Sequence, residues 1–168
     1  MNNELPLKWK SKCGRYTVSI SHFCFNKMLK MGKKHHPHEV GTSLVGCYSD
    51  DGFDAFVLDA SPLCSDSRCY DNSFFRGIKG LRAFYNKLQQ RYGGRRYYVG
   101  EWHSHPNGTP IPSHMDNMTQ SAISADSETN CPESILVIIG GNLFAVPELG
   151  VFLYSCRWGR IELLYDQT

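Results

Sequence analysis

The spacing of hydrophobic and polar positions predicts a chain in which strands and helices alternate. Residues 15–20 alternate β-branched or aromatic side chains with polar ones, as a half-buried strand does. Residues 134–139 are continuously apolar, which predicts a central strand buried on both faces. This pattern predicts an α/β (α+β mixed) fold in which helices flank a mixed β-sheet. The predicted strands are residues 15–20, 39–48, 53–58, 97–105, 134–139, 150–156 and 160–165, and the predicted helices are residues 21–34, 78–92 and 113–126.

Each predicted helix has apolar residues spaced three and four positions apart on one face. We expect these stripes to pack inward, and we expect the polar residues 60–75 to form a surface loop. Asp50, Asp51 and Gly52 predict a hairpin turn between the second and third strands. The stripes are Cys24, Phe25, Met28 and Leu29 in the first helix, Ile78, Leu81, Tyr85, Leu88 and Tyr92 in the second, and Met115, Met118 and Ala122 in the third.

Composition narrows the class of protein. A chain of 168 residues, 41% hydrophobic and 20% charged, is long enough for a single domain, which we expect to span residues 1–168. The net charge of +2 gives no strong attraction to nucleic acid or membranes, and no apolar run approaches the length of a membrane span. The first residues lack a secretory signal, and seven scattered cysteines are not typical of a disulfide framework. We therefore expect a cytoplasmic protein with free thiols, including Cys64 and Cys69.

The strongest chemical pattern lies at the end of the fourth predicted strand. Alternation along a strand places His103 and His105 on one face, about 6–7 Å apart, where they can bind one metal ion. Pro106 ends the strand, and Ser113 begins a helix that has Asp116 in its first turn. Two imidazoles and one carboxylate, with a fourth position open, are the pattern of a catalytic zinc site. The alternative is that Ser113 and Asp116 form only a capping box.

Other polar positions allow two interpretations each. Glu39 precedes an apolar strand, so it is either an exposed strand end or a general base whose pKa is raised in a dry pocket. The histidines near Pro37 are either solvated or an adventitious metal site. Residues 76–96 contain seven basic and no acidic side chains, so they form either a solvated face or a surface for an acidic partner.

Together these residues resemble the JAB/MPN (JAMM) metalloprotease family. Glu39, a long gap, His-x-His-Pro, and then Ser-x-x-Asp match the family signature at every defining position. Residues 39–46 are similar to the Glu-x-Gly-Gly-x-Leu-x-Gly segment of the family, although Thr42 replaces a common second glycine. Residues 100–106 look closest to the prokaryotic JAB peptidases, including those encoded with ubiquitin-like conjugation enzymes in antiphage operons of the CBASS type. The resemblance covers roughly residues 15–164.

The resemblance implies a cytidine-deaminase-like domain with one zinc ion held by His103, His105 and Asp116. It further implies that Glu39 moves the protons of the reaction and that Ser113 donates a hydrogen bond to the oxyanion. The substrate would be the amide bond after the C-terminal tail of a ubiquitin-like protein or of a conjugated CD-NTase-type signalling enzyme. Such a tail can bind by adding a strand to an open sheet edge, and activating and conjugating enzymes would be further partners.

Two other functions fit the same fold. One is a nucleic-acid-associated protein resembling the RadC type, whose His-x-His-Pro loop is similar. The other is a non-catalytic MPN scaffold. Scaffold members typically lack the ligand set, which this chain keeps, and the low net charge weighs against nucleic acid. The predicted activity is therefore that of a deconjugating metalloprotease.

Overall fold

A computed structural model describes residues 6–166, which form ten strands and three helices. The predicted domain spans residues 1–168, so its first five and last two residues, including the start of the N-terminal segment considered above, lie outside the described residues. The strands are β1 (Leu7–Ser11), β2 (Thr17–Ile20), β3 (Gly41–Tyr48), β4 (Asp54–Ala60), β5 (Arg68–Tyr70), β6 (Ser73–Phe75), β7 (Tyr97–Ser104), β8 (Glu133–Gly141), β9 (Pro147–Ser155) and β10 (Gly159–Asp166), and the helices are α1 (His22–His35), α2 (Leu81–Tyr92) and α3 (His114–Ala125).

Eight of the strands form one mixed sheet that closes on itself in the order β1-β10-β9-β8-β7-β3-β4-β2. Strands β2 and β4 are parallel, as are β7 and β8, and the other neighbours are antiparallel. The predicted mixed sheet, the β3–β4 hairpin and the final hairpin are confirmed. Strand β8 is buried on both faces, as predicted, although a closed sheet has no central strand.

Helices lie on both faces of the sheet, which gives the predicted flanking arrangement. Helix α1 begins after its N-cap, Ser21, whose Oγ accepts a hydrogen bond from the Cys24 N–H. Its predicted stripe contributes buried Cys24 and Met28 to the main core, on the side of β8 that carries Ile135 and Val137. Helix α3 covers the opposite side, where Leu136, Ile138 and Tyr154 form a second small cluster.

Three strands were not predicted from the sequence. Residues 60–75, predicted to be a surface loop, contain the two-stranded antiparallel ribbon β5–β6, whose turn is Asp71-Asn72. Aromatic residues flanking a two-residue Asp-Asn turn are a hairpin signal, and it was overlooked because the surrounding residues are polar. Strand β1 alternates apolar and polar residues, and its Trp9 is buried in the core.

Two helix predictions need correction. Helix α2 begins at Leu81 rather than Ile78, because Gly80 adopts a left-handed conformation and leaves Ile78 exposed. Met115, Met118 and Ala122 were predicted to pack inward but are exposed. The inward positions of α3 are polar instead: Gln120 is buried and its amide donates to Ser134 Oγ and the Ile135 carbonyl, and Ser124 is also buried.

All seven cysteines are free thiols. Among residues 6–166, no helix is both long enough and apolar enough to cross a bilayer.

Candidate metal centre

Strand pairing brings the distant Glu39 to the histidine strand. Gly41 in β3 lies opposite His103 in β7, and a Cβ added to Gly41 would lie 2.2 Å from the Trp102 carbonyl oxygen. Only glycine therefore permits this close approach of the two strands. The Ser104 N–H donates to the Val40 carbonyl (2.8 Å), and the Val40 N–H donates to Ser104 Oγ (3.1 Å). These bonds fix the residue after Glu39 against the residue between the two histidines.

The ring of His105 is oriented by the loop that follows it. Its Nδ1 lies 3.0 Å from the Thr109 carbonyl oxygen, which accepts a hydrogen bond only if Nδ1 carries the proton. In the neutral ring this leaves the lone pair on Nε2, the atom that faces His103. A carbonyl partner on the far ring nitrogen is typical of metal-binding histidines.

The loop of residues 106–112 lies on two glycines of neighbouring strands. A Cβ on Gly140 would be 2.6 Å from the Gly108 carbonyl oxygen, and a Cβ on Gly150 would be 2.0 Å from the Pro110 carbonyl oxygen. The loop is also bonded to β8 through the Gly141 N–H and the Gly108 carbonyl, 2.7 Å apart. Because these two positions lack side chains, the loop can lie directly against β8 and β9, which places the start of helix α3 near the end of β7.

Helix α3 begins with the predicted capping box. The Asp116 N–H donates to Ser113 Oγ (3.1 Å), and the Ser113 N–H donates to Asp116 Oδ2 (2.7 Å). Ser113 and Asp116 therefore do form the capping box that was the alternative to a role in the site. They also belong to the site, because both line the same pocket as His103 and His105.

The three predicted ligands converge. Their ligand atoms all lie within 4.8 Å of one another, and this is the one such group of three or more within residues 6–166. The Nε2 atoms of His103 and His105 are 3.0 Å apart, and they lie 3.5 and 3.8 Å from Asp116 Oδ1 and Oδ2. Two nitrogens bound tetrahedrally to one zinc at about 2.0–2.1 Å lie about 3.3 Å apart, so the arrangement fits a small cation.

The electrostatics of the carboxylates differ. Burial raises the pKa of Glu39, Asp116 raises it further, and His105, whose Nε2 is 3.9 Å from Glu39 Oε1, opposes both. Burial also acts to raise the pKa of Asp116, but hydrogen bonding and charge from His103, with the bonds from Ser113, outweigh it and hold that pKa well below its ordinary range. One carboxylate is thus suited to hold a proton and the other to stay charged.

The pocket is small and opens into a larger groove. Its volume is about 210 Å³, and ribbon residues Asn72, Ser73 and Phe74 form one wall above Glu39 and the histidines. A neighbouring groove of about 350 Å³ shares Phe74 and Asp116 with it and continues between β6 and α3. Sequence reasoning missed the ribbon as part of the site because it assigned these residues to a loop.

Thr42, which replaces a common glycine of the family pattern, accepts a hydrogen bond from a buried side chain. The indole N–H of buried Trp102 donates to Thr42 Oγ1 at 2.7 Å. A glycine at this position would leave that buried donor without this acceptor. Thr42 thus supports the residue that precedes His103.

The remaining polar segments lie outside the centre. His35 contacts the Met31 carbonyl, His36 the Asn107 amide, and His38 pairs with Asp71. They therefore have separate partners and do not form a second metal group. In the basic segment of residues 76–96, Arg76 alone has a carboxylate within ion-pair distance among the described residues. The acidic-partner surface stays a prediction.

Comparisons with known proteins point to one family. Residues 23–153 match the family model described as prokaryotic homologs of the JAB domain. A curated relative from Enterobacter hormaechei subsp. hoffmannii, named CD-NTase/cGAS isopeptidase, is 36% identical over 134 residues, which cover 80% of this chain and 73% of the relative. The solution structure of a Desulfitobacterium hafniense protein superposes with a TM-score of 0.57 at 20% identity, covering 89% of both chains, which shows a shared fold.

Proposed function

Because the chain belongs to the prokaryotic JAB-domain family, we propose that it is a zinc-dependent isopeptidase that removes a protein from a conjugate. The observation that carries the proposal is the position of Glu39. Its carboxylate lies 3.9 Å from His105 Nε2, in the pocket that also holds His103 and Asp116. Metal-assisted amide hydrolysis needs a proton-transfer group beside three protein ligands that leave the fourth position of the metal to water.

The ligand set supports zinc as the metal. His103, His105 and Asp116 would hold it with two nitrogens and one oxygen, the ligand chemistry of catalytic zinc sites. Zinc held there would supply a Lewis acid able to activate water and polarise a carbonyl at neutral pH. The hydrogen bond between His105 Nδ1 and the Thr109 carbonyl holds the His105 ring in the orientation that metal binding requires.

Glu39 and Ser113 would carry the remaining chemistry. With its pKa raised by burial, Glu39 accepts the proton of the attacking water and returns it to the departing amine. Ser113 Oγ uses a lone pair for the cap of α3, so its hydroxyl hydrogen remains available to donate to the oxyanion of the tetrahedral intermediate. Both side chains line the pocket that the scissile bond would enter.

The ribbon supplies the edge on which a substrate tail can lie. The main sheet closes on itself within residues 6–166, so the open edge expected beside the site is not part of it. Strands β5 and β6 form a separate two-stranded sheet whose turn and following residues border the pocket. An extended C-terminal tail would pair with this ribbon and pass its last residue to the metal centre.

The name of the relative supports a proposal for the substrate class. That name, CD-NTase/cGAS isopeptidase, supports a CD-NTase-type signalling enzyme joined through its C-terminal tail, with a ubiquitin-like protein as the second candidate. We accordingly propose a role in antiphage defence of the CBASS type, in the cytoplasm, beside activating and conjugating enzymes.

We further propose that residues 1–168 form one JAB/MPN domain, with a cytidine-deaminase-like arrangement of helices on both faces of the sheet. The RadC-like alternative rests only on the basic segment, and the scaffold alternative rests only on the fold.

Metal content and cleavage test the proposal together. Protein purified without chelator should contain about one zinc per chain, and His105→Ala should lose it. The cleavage probe is a library of short peptides joined through their C-termini to the lysine ε-amine of a fluorescent reporter. Glu39→Gln should keep zinc but release no reporter. Full turnover by Glu39→Gln would remove Glu39 from the mechanism, and wild-type protein that loads zinc but cleaves no member would refute the isopeptidase assignment.

A further inference from the structure

The β5–β6 ribbon, which forms a wall of the metal pocket, is joined to neighbouring segments by polar contacts at two places. At its turn, the Tyr70 carbonyl accepts a hydrogen bond from the Glu39 N–H at 2.7 Å, and Asp71 pairs with His38 at 2.6 Å. This attachment joins the ribbon directly to the segment that bears the proposed base. Between the turn and the end of β6 lie Ser73 and Phe74, which face the pocket.

The second attachment is made by Arg76, the residue that follows β6. Its Nε lies 3.4 Å from Glu101 Oε2, and its Nη1 donates to Ser43 Oγ at 2.9 Å. Glu101 belongs to β7 and Ser43 to β3, so one guanidinium joins the end of the ribbon to both strands that carry the site. Glu101 precedes His103 by two positions and therefore lies on the same face of β7.

The surroundings of this ion pair differ from those of a solvated surface pair. Glu101 is 13% exposed and Arg76 32%, and the Tyr98 hydroxyl donates to Glu101 Oε1 at 2.9 Å. A charge this enclosed depends on its partner, because removal of either side chain leaves the other without compensation.

The pair also borders the groove that leads to the metal centre. Arg76 and Glu101 lie on its wall together with Phe74, and the groove continues to His103 and Asp116. A displacement of Arg76 would therefore move the ribbon wall at the point where the groove enters the pocket. His105 and Asp116 are held by other bonds, from Thr109 and within the cap of α3.

We propose that Arg76 and Glu101 are positioning residues, whose ion pair holds strand β6 at the distance from the metal centre that substrate binding requires. This inference rests on the proposed function for its substrate. The pair acts on binding of the tail, through the ribbon, and not on the metal or on proton transfer. Its loss should therefore raise KM, leave zinc content unchanged and change kcat little.

A second ion pair of the chain provides a matched control. Lys27 Nζ lies 2.7 Å from Asp59 Oδ1, the two side chains are 33% and 23% exposed, and the pair joins α1 to β4, outside both cavities of the site. Glu101→Gln and Asp59→Asn are the same change, carboxylate to amide. A purely structural role for Glu101 would make the two variants behave alike.

The experiment compares these variants with Arg76→Gln and with Arg76→Gln combined with Glu101→Gln. Using the best substrate from the peptide–reporter library, Glu101→Gln and Arg76→Gln should each raise KM about tenfold, with kcat within about twofold. The combined variant should be no worse than either single variant, because both changes break the same ion pair and the combination leaves no unpaired charge. Asp59→Asn should keep the wild-type KM. Unchanged KM in Glu101→Gln, or an equal rise in Asp59→Asn, would overturn the proposal.

Amide hydrogen exchange tests the same inference without a substrate. Exchange of residues 73–75 should be faster in Glu101→Gln than in wild type, and unchanged in Asp59→Asn. Exchange at wild-type rates in Glu101→Gln would refute the positioning role even if no peptide is cleaved. Absence of cleavage by the wild type would count against the proposed function, whereas the exchange result would still decide whether the pair holds the ribbon.

Discussion

Ser113 and Asp116 are hydrogen-bonded to each other twice, with each backbone N–H donating to the other side chain, at 2.7 and 3.1 Å. The cap occupies one carboxylate oxygen of Asp116 and leaves Oδ1 at 3.5 Å from His103 Nε2. It likewise leaves the hydroxyl hydrogen of Ser113 available. Helix capping and a role at the metal centre are thus compatible, because each role uses different atoms of the same side chains.

This arrangement predicts that two substitutions of Ser113 will separate its two roles. Ser113→Ala should lower helix stability by about 1 kcal/mol, whereas glycine, a fair N-cap, costs only about a few tenths. Both variants lack the hydroxyl and should lose about 10²–10³-fold in kcat. Thermal unfolding and steady-state kinetics measure the two effects. A Ser113→Gly variant with wild-type kcat would show that the hydroxyl only caps the helix.

The low pKa of Asp116 predicts a pH-dependent contribution to stability in the metal-free protein. A carboxyl with a depressed folded-state pKa stabilises the fold above its unfolded pKa of about 4, and that contribution disappears as the pH falls through the folded value. The difference in unfolding free energy between wild type and Asp116→Asn should therefore shrink on acidification.

Urea titrations in chelator between about pH 3 and pH 7 measure this difference. The control is Asp50→Asn, a change at an exposed position in the β3–β4 turn. A wild-type advantage over Asp116→Asn that is constant across this range would contradict the predicted linkage.

The Thr42–Trp102 hydrogen bond predicts a specific cost for removing one oxygen. Thr42→Val keeps the shape of the side chain but leaves the buried indole N–H without its acceptor, which should cost about 1–3 kcal/mol of unfolding free energy. Thr42→Ser keeps the hydroxyl and should remain closer to wild type. Denaturant unfolding compares them, and equal stability of the valine variant and wild type would show that the bond contributes little.

A glycine far from the signature should also affect metal binding. In Gly150→Ala the new Cβ would lie 2.0 Å from the Pro110 carbonyl oxygen, so the loop that carries Ser113 and Asp116 must move. We expect weaker zinc binding, measured by competition with a chromophoric chelator. Glu148→Ala, on the same strand, is the control. Wild-type zinc affinity in Gly150→Ala would mean that the loop can shift without moving Asp116.

The sequence was informative where periodicity or spacing is local. Alternation predicted strand β7, which contains His103 and ends just before His105, and the Ser-x-x-Asp spacing predicted the cap of α3. The ribbon around Asn72 was missed because polar composition outweighed a short hairpin signal. The inward face of α3 was wrong because its buried Gln120 bonds to β8, whereas hydrophobic spacing pointed to Met115 and Met118.

Relationships between distant residues were beyond sequence reasoning for a different reason. The closeness of Glu39 to His105 was inferred from resemblance, since no local pattern fixes which strands become neighbours. The partners of Trp102 and Glu101 depend on strand register and on a side chain that crosses from the ribbon. Such contacts become visible only when the sheet order is known.

Closure of the sheet has a consequence for the order of folding. Strand β1 is paired with β10, so that Lys8 lies opposite Asp166, from opposite ends of the described chain. During synthesis β1 is made before the other described strands, and its pairing with β10 cannot form until the last of them is made. The loop-closure entropy of this contact is large. The pairing of β3 with β7 and of β7 with β8 joins segments that are nearer in sequence. We therefore expect the strands around the metal centre to assemble on the ribosome before the ring of strands is completed.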